Sequence, residues 1–323
     1  VVEPTNEDGD TNPVKLVDGK VILPKSFGPL FHQLQSEGWG TSNIDKSEDA
    51  MIMHHVLSGA VNELLCAANP VFYPYILLTS GAADLIQSFA DDDLKEVFLP
   101  NMMDGTWSGS MCLTEPSAGS DVGDILSKAY PTDDSRIFKI KGQKIFITGG
   151  DNDFTDNIIH LYLARVEGAR PGTSGISLFI VPKFWVNEDG SLSDNDVITT
   201  GVEHKLGQHG SCTAARAFGD NGNCYAELLG KPRQGMKIMF QMMNEARIGM
   251  GLQGLGTSSI AYFHALNYAK ERKQGADLMN MQNPEAPRVS IINHPDVRRM
   301  LIWMKSHVEG MRALVYLCAL AID

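Results

Sequence analysis

The spacing of apolar residues changes twice along the chain. Up to about residue 106 they recur every three or four positions, which predicts helices. A short helix is predicted over 26–38, with Leu30, Phe31 and Leu34 on one face and Gly38 as its stop. Longer helices are predicted over 46–67 and 70–90, and a further one over 94–102, with Asp91-Asp92-Asp93 as its N-cap and acidic first turn. The first 25 residues are polar and rich in turn formers, and read as an extended leading segment. From Trp107 the period drops to two. Short β-rich runs are predicted at 107–114, 125–129, 136–141, 143–148, 157–166 and 175–181, with more within 197–205 and 213–229. Turn clusters at 131–135 and 168–174 separate them, and 186–196 reads as a surface hairpin or insertion. After Lys231-Pro232 the helical period returns. One long helix is predicted over 235–272, a loop over 276–292, and a last helix over 296–322, opened by His294-Pro295. The expected fold class is α+β and multidomain. A helical domain with its leading segment covers 1–106, a small antiparallel β-barrel or sandwich covers 107–231, and the start of a helical bundle covers 232–323.

The chain has 323 residues, enough for a sizeable core, and a formal net charge of −12. That charge opposes a broad nucleic-acid or anionic-membrane surface. Five cysteines without close pairing suit a reducing compartment and give no zinc framework. No apolar run is long enough for a membrane span. The expected location is the cytoplasm, with the mitochondrial matrix as the alternative.

Several chemical motifs have plain structural readings. Gly249–Gly254 spells GxGxxG, but helical spacing precedes it where a dinucleotide fold needs a strand, so close helix packing is expected. Asp151-Asn152-Asp153 and Asn187-Glu188-Asp189-Gly190 lack the full calcium-loop pattern and read as solvated turns. Neither His54-His55 nor His204 with His209 has a third ligand at metal spacing. Ser117 and Ser120 do not sit in a GxSxG elbow. The stretch MCLTEPSAGSDVG, 111–123, is different: a short apolar strand ends in hydroxyls, small residues and free backbone N–H groups, which suits a planar polar ring and a phosphate.

That stretch, with KGQKIFITGG at 141–150, resembles the flavin-binding signature of the acyl-CoA dehydrogenase family. Further pieces follow in the family's order: KLGQHGS from Lys205, FGDNG from Phe218, LLGKPRQGMKIM from Leu228, MMNEARIGMG from Met242 and YAKERKQG from Tyr268. NEARIG, HPDVRRML and NIIHLYLAR are most similar to the long, about 600-residue subgroup that includes 3-methylmercaptopropionyl-CoA dehydrogenase. The resemblance implies FAD-dependent removal of a Cα proton and a Cβ hydride from an acyl-CoA, giving a trans-2-enoyl-CoA. By position, Met111, Leu113 and Thr114 would meet the pyrimidine side of the flavin. Ser120 would meet its pyrophosphate and lie near the thioester arm. Phe146 and Ile147 would face the ring, and Thr148 would bond near N5. Asn244 and Arg247 match a CoA-contacting pair. Arg272 would reach the FAD of a neighbouring subunit, which implies a homodimer or a dimer of dimers. The family's electron acceptor, electron-transferring flavoprotein, is the implied partner. The catalytic Glu of most members would lie beyond Asp323. A minority carry it where this chain has Ala246, and Glu245, one step along the helix, points about 100° away. Two alternatives stand beside the dehydrogenase: an oxidase of the same fold, and a non-catalytic subunit completing a partner's site.

Overall fold

The computed structural model describes residues 1–40 and 54–322; the predicted helix over 46–67 is thus seen only from residue 54 onward, and 46–53 lie outside the described residues. The chain forms two compact units, Val1–Met53 with Val71–Arg247, and His54–Pro70 with Ile248–Asp323.

In the first unit the leading segment is not simply extended. It holds α1 (Pro4–Thr11), then β1 (Lys15–Val17) and β2 (Lys20–Ile22), paired antiparallel. Asp18 and Gly19, with φ of 49° and 75°, make the tight turn between them. Asp-Gly is a strong short-range hairpin signal, and the sequence reading passed over it. Asp8 ties α1 to the next helix by accepting from Ser26 N–H at 3.0 Å and Ser26 Oγ–H at 2.6 Å.

α2 (Phe27–Ser36), α4 (Tyr73–Phe89) and α5 (Asp92–Met103) follow the predicted helical period closely; α3 (His55–Ala68) belongs to the second unit. Asp91 stands at the N-cap of α5, but its side chain makes no capping bond. Tyr75 on α4 straps a distant loop, accepting from Cys212 N–H at 2.8 Å and donating to Gly210 O at 3.2 Å.

The β region is an eight-stranded sheet. Its strands are β3 (Trp107–Cys112), β4 (Lys128–Pro131), β5 (Ile137–Thr148), β6 (Asn157–Val166), β7 (Ile176–Pro182), β10 (Val197–Val202), β11 (Thr213–Phe218) and β12 (Tyr225–Leu229). β8 (Phe184–Val186) and β9 (Leu192–Asp194) form the expected separate hairpin. The two runs predicted over 136–148 are one strand, β5, continuous through Gly142. The strand predicted at 125–129 starts later, at Lys128, because a 3-10 turn occupies Val122–Asp124. Most pairings are antiparallel, but β3 and β4 each run parallel to β6, so the sheet is mixed. β5 pairs with β4, β4 with β6, β6 with β7, β7 with β12 and β12 again with β5, which closes a five-stranded ring. Phe138, Ile140, Tyr162, Phe179 and Phe218 pack together in one core cluster. A second core joins α4 and α5 to Leu161, Leu178 and Ile180 of the sheet and to Ile238, Met239 and Met242 of α6 (Gly235–Glu271).

The second unit contains α3 (His55–Ala68), the part of α6 from Ile248 and α7 (Pro295–Leu320). The loop expected over 276–292 instead carries a strand: β13 (Lys273–Ala276) pairs with β14 (Arg288–Ser290). Gly249–Gly254 lies inside α6 and not after a strand, so it is no dinucleotide loop, but the close packing expected there is absent: a Cβ on Gly251 would stand 3.8 Å from Val315 and one on Gly254 would meet nothing within 4 Å among the described residues. The tightest approach is two residues further on. A Cβ on Gly256 would meet Cys66 Cβ and the Glu63 carbonyl at 2.7 Å. Glu63 of α3 anchors α7, taking Arg312 Nε at 3.0 Å, Arg312 Nη2 at 2.7 Å and Tyr316 O–H at 2.7 Å. No helix among the described residues is long and apolar enough to cross a membrane.

Candidate flavin-type site on the β domain

A cavity of about 160 Å³ opens where the end of β3 meets the end of β5. Its lining is Leu78, Met111, Leu113, Thr114, Phe146, Ile147 and Thr148, all in the first unit. It therefore gathers six of the sequence-derived candidates and adds Leu78 from α4. The strands explain why. Thr114, just past the end of β3, has its carbonyl held by the Ile145 N–H at 2.9 Å, so the two stretches are bonded side by side. The Thr114 and Thr148 hydroxyls have no protein partner among the described residues. Two hydroxyls free to donate into an otherwise apolar cavity suit a flat heterocycle with polar edges.

β5 also carries a break in its alternation. Phe138, Ile140 and Lys144 turn inward, and strict period two would turn Phe146 inward as well. Between Lys144 and Ile147 the register with β11 slips by one residue. Phe146 takes φ of 59° at this bulge and is 58% exposed, at the rim of the cavity. A left-handed conformation on a bulky residue is strained, and such strain gathers at ligand sites.

Beneath the cavity sits an ion pair that sequence reasoning missed. Lys144 is fully buried and its Nζ donates to Glu115 Oε1 at 2.8 Å and to the Leu113 carbonyl at 2.9 Å. Its ammonium also stands 4.7 Å from the centre of the Tyr162 ring. Glu115 accepts from the Leu126 N–H at 2.6 Å and the Ser127 N–H at 3.2 Å. Burial pushes the Glu115 carboxyl up, but the Lys144 charge and these bonds outweigh it and hold the carboxyl below its ordinary value. The signal was present: a lysine at an inward position of a strand needs a buried partner.

The Asp151 turn is not solvated, contrary to the expectation for Asp151-Asn152-Asp153. Asp151 is buried, bonded to Lys183 Nζ at 2.7 Å and to Thr199 Oγ1, with Arg216 Nη1 at 3.5 Å. Asn152 caps the same turn, accepting from the Phe154 and Thr155 N–H groups. Three polar partners, Thr199 and Arg216 on β10 and β11 and Lys183 between β7 and β8, turn an apparent surface loop inward.

The remaining candidates lie elsewhere. Ser120 is on the exposed loop after Thr114. Asn244 and Arg247 are exposed one turn apart on α6, joined by a bond from Arg247 Nη1 to Asn244 Oδ1 at 2.6 Å. Arg272 is exposed just past α6, in the second unit. Glu245 is half-buried against Asp84. Burial and the Asp84 carboxylate push its pKa up to about 8.

The acyl-CoA dehydrogenase middle-domain model matches residues 110–218 and the C-terminal-domain model matches 233–323. The chain belongs to the acyl-CoA dehydrogenase family. It is 46% identical, over its whole length and 54% of the relative's, to a butyryl-CoA dehydrogenase of Syntrophomonas wolfei. It is 38% identical, over 97% of its length and 52% of the relative's, to 3-methylmercaptopropionyl-CoA dehydrogenase of Ruegeria pomeroyi. The solved butyryl-CoA dehydrogenase of Megasphaera elsdenii superposes with a TM-score of 0.76 at 26% identity, over 98% of this chain and 74% of that one. The chain spans about half the length of the curated relatives it matches.

Proposed function

We propose that this chain carries the flavin seat of an enzyme that dehydrogenates an acyl-CoA thioester between Cα and Cβ, with FAD as cofactor. The observation that carries this reading is the cavity lined by Met111, Leu113, Thr114, Phe146, Ile147 and Thr148, with two hydroxyls in its wall that have no protein partner among the described residues. When bound, FAD supplies the hydride acceptor for the Cβ hydrogen. The chain's own residues do the rest of what is assigned to it. Leu113 and Met111 give an apolar wall, and Thr114 donates to the polar edge of the ring. Thr148 donates near N5, where a hydrogen bond favours added charge. Phe146 covers one face. Ser120 takes the pyrophosphate and the thioester arm, while Asn244 and Arg247 take the CoA moiety.

No carboxylate lines the cavity among the described residues. Ala246 cannot accept a proton. Glu245, its carboxyl raised by burial and by Asp84, does not line the cavity, so we read it as a structural acid rather than the base. The Cα proton is assigned to a Glu outside the described residues. Arg272 serves the FAD of a second subunit in a homodimer or dimer of dimers. Electron-transferring flavoprotein is the acceptor, and the cytoplasm the location. The division into 1–106, 107–231 and 232–323 is the domain arrangement we favour.

The test is an absorption spectrum of the purified protein before and after anaerobic addition of butyryl-CoA, chosen after the butyryl-CoA dehydrogenase relative of Syntrophomonas wolfei. A flavin spectrum that bleaches is the expected result. A protein that takes up no FAD sinks the reading.

A further inference from the structure

The Glu115–Lys144 pair takes no part in the chemistry proposed above, yet it touches both walls of the cavity. A pair this deep contributes little net stability over two apolar side chains of similar volume, because desolvating both charges costs about as much as their attraction returns. Its effect on the strand end is more specific. Lys144 Nζ occupies the Leu113 carbonyl at 2.9 Å, and the Ile145 N–H occupies the Thr114 carbonyl at 2.9 Å. Both acceptors at the end of β3 are therefore turned into protein. What the Leu113 and Thr114 side chains present to the cavity wall is apolar surface and the Thr114 hydroxyl.

We propose that Glu115 and Lys144 are positioning residues that fix the polarity of the cavity wall: by engaging the Leu113 carbonyl, they keep that acceptor from competing with the Thr114 hydroxyl for the carbonyl-bearing pyrimidine edge of a flavin. Glu115 holds the ammonium in place and is itself held by the Leu126 and Ser127 N–H groups at 2.6 and 3.2 Å. The Tyr162 ring, 4.7 Å away, takes the remaining side of the ammonium. Its three protons are thus all directed, two by hydrogen bonds and one toward a π face. This inference rests on the flavin reading.

Two double variants of the full protein test it. Glu115→Gln with Lys144→Met removes both charges and the donor to Leu113. Glu115→Gln with Lys144→Gln removes both charges but keeps an amide donor there. FAD dissociation constant, flavin midpoint potential and thermal melting are measured for each. The expected result is a loss of FAD affinity of about tenfold or more in the first variant, the equivalent of losing one net hydrogen bond. Its midpoint potential moves lower, since a carbonyl dipole freed into the cavity disfavours added electrons. The second variant keeps both near the wild-type values. Equal behaviour of the two variants overturns the inference and reduces the pair to a structural contact. If the methionine variant does not fold, the glutamine variant decides alone, and a loss of about tenfold in it overturns the inference. Wild-type protein that binds no FAD overturns the inference and the flavin reading together, whereas binding that is insensitive to both variants overturns the inference only.

Discussion

Each of the two units is held by a carboxylate–cation contact, and the two contacts are built differently. In the β region Glu115 and Lys144 are 4% and 0% exposed, and every polar atom of the pair has a protein partner. In the helical unit Glu63 is 9% exposed, but the Arg312 side chain that meets it is 33% exposed. Arg312 makes a forked contact and stays partly in water, so its desolvation is small and its planar geometry is used well. Lys144 has no water to fall back on. Burial pulls its pKa down and Glu115 pulls it back only in part. The helical pair is a fastener that tolerates loosening; the barrel pair is all or nothing.

The largest effect is therefore expected from Lys144→Met alone. It leaves the Glu115 carboxylate buried without its cation and costs about 3–5 kcal/mol of unfolding free energy, read from urea melts. A loss under half of that would place water beside Glu115 and erase the contrast. Glu63→Gln keeps the shape and one acceptor, and should cost about 1–2 kcal/mol. If it matches the Lys144 variant, Arg312 is as dependent on its partner as Lys144 is. Phe146→Gly acts in the opposite direction. Relief of the left-handed backbone outweighs the added chain entropy and stabilises the ligand-free protein by at most about 1 kcal/mol. The same change should weaken FAD binding, and a variant that melts lower than wild type shows the bulge to be unstrained.

A further contrast concerns a carboxylate with no cation partner among the described residues. Glu245 has its folded pKa raised to about 8 by burial and by the neighbouring Asp84 carboxylate. Between its ordinary value near 4.5 and 8 the unfolded chain binds fewer protons, so this contribution is present below pH 4.5 and is lost as pH rises to 8. Glu115 and Glu63, both lowered, act with the reverse sign: their contributions are present above about pH 4.5 and are lost as pH falls through the folded values. Glu245→Gln should flatten the stability–pH curve between about pH 4.5 and 8 and leave the fall below pH 4.5 to Glu115 and Glu63. An unchanged curve shows Glu245 to be ionised in the folded protein.

Period and punctuation in the sequence carried much of this. The switch of period near Trp107 and its return after Lys231 mark where strands begin and end, and the core helices α2, α4, α5 and α7 lie close to their predicted spans. Those signals are local. What was not legible depends on which distant residue lies opposite. The parallel placement of β3 and β4 on β6 is a matter of chain return, and no periodicity encodes it. Asp151 reads as a surface turn until Lys183, Thr199 and Arg216 arrive from 32 or more residues away. The bulge at Phe146 is likewise set by pairing with β11. The cavity-forming stretches were visible as motifs, but the Glu115–Lys144 bridge beneath them was not, although an inward-facing lysine was there to be questioned. The Asp18-Gly19 hairpin was legible and was passed over.

The closed ring of strands also has a consequence in time. β5 pairs with β12, whose residues 225–229 lie more than 75 positions after the last residue of β5. A chain made from its N-terminus thus exposes the open flanks of β5 and β7 until residue 229 has emerged, and long-range closures of this kind form slowly. During synthesis this stretch is a row of unpaired amides awaiting one late segment, so it is here, and not in the helices, that a nascent chain is most exposed to pairing with its neighbours.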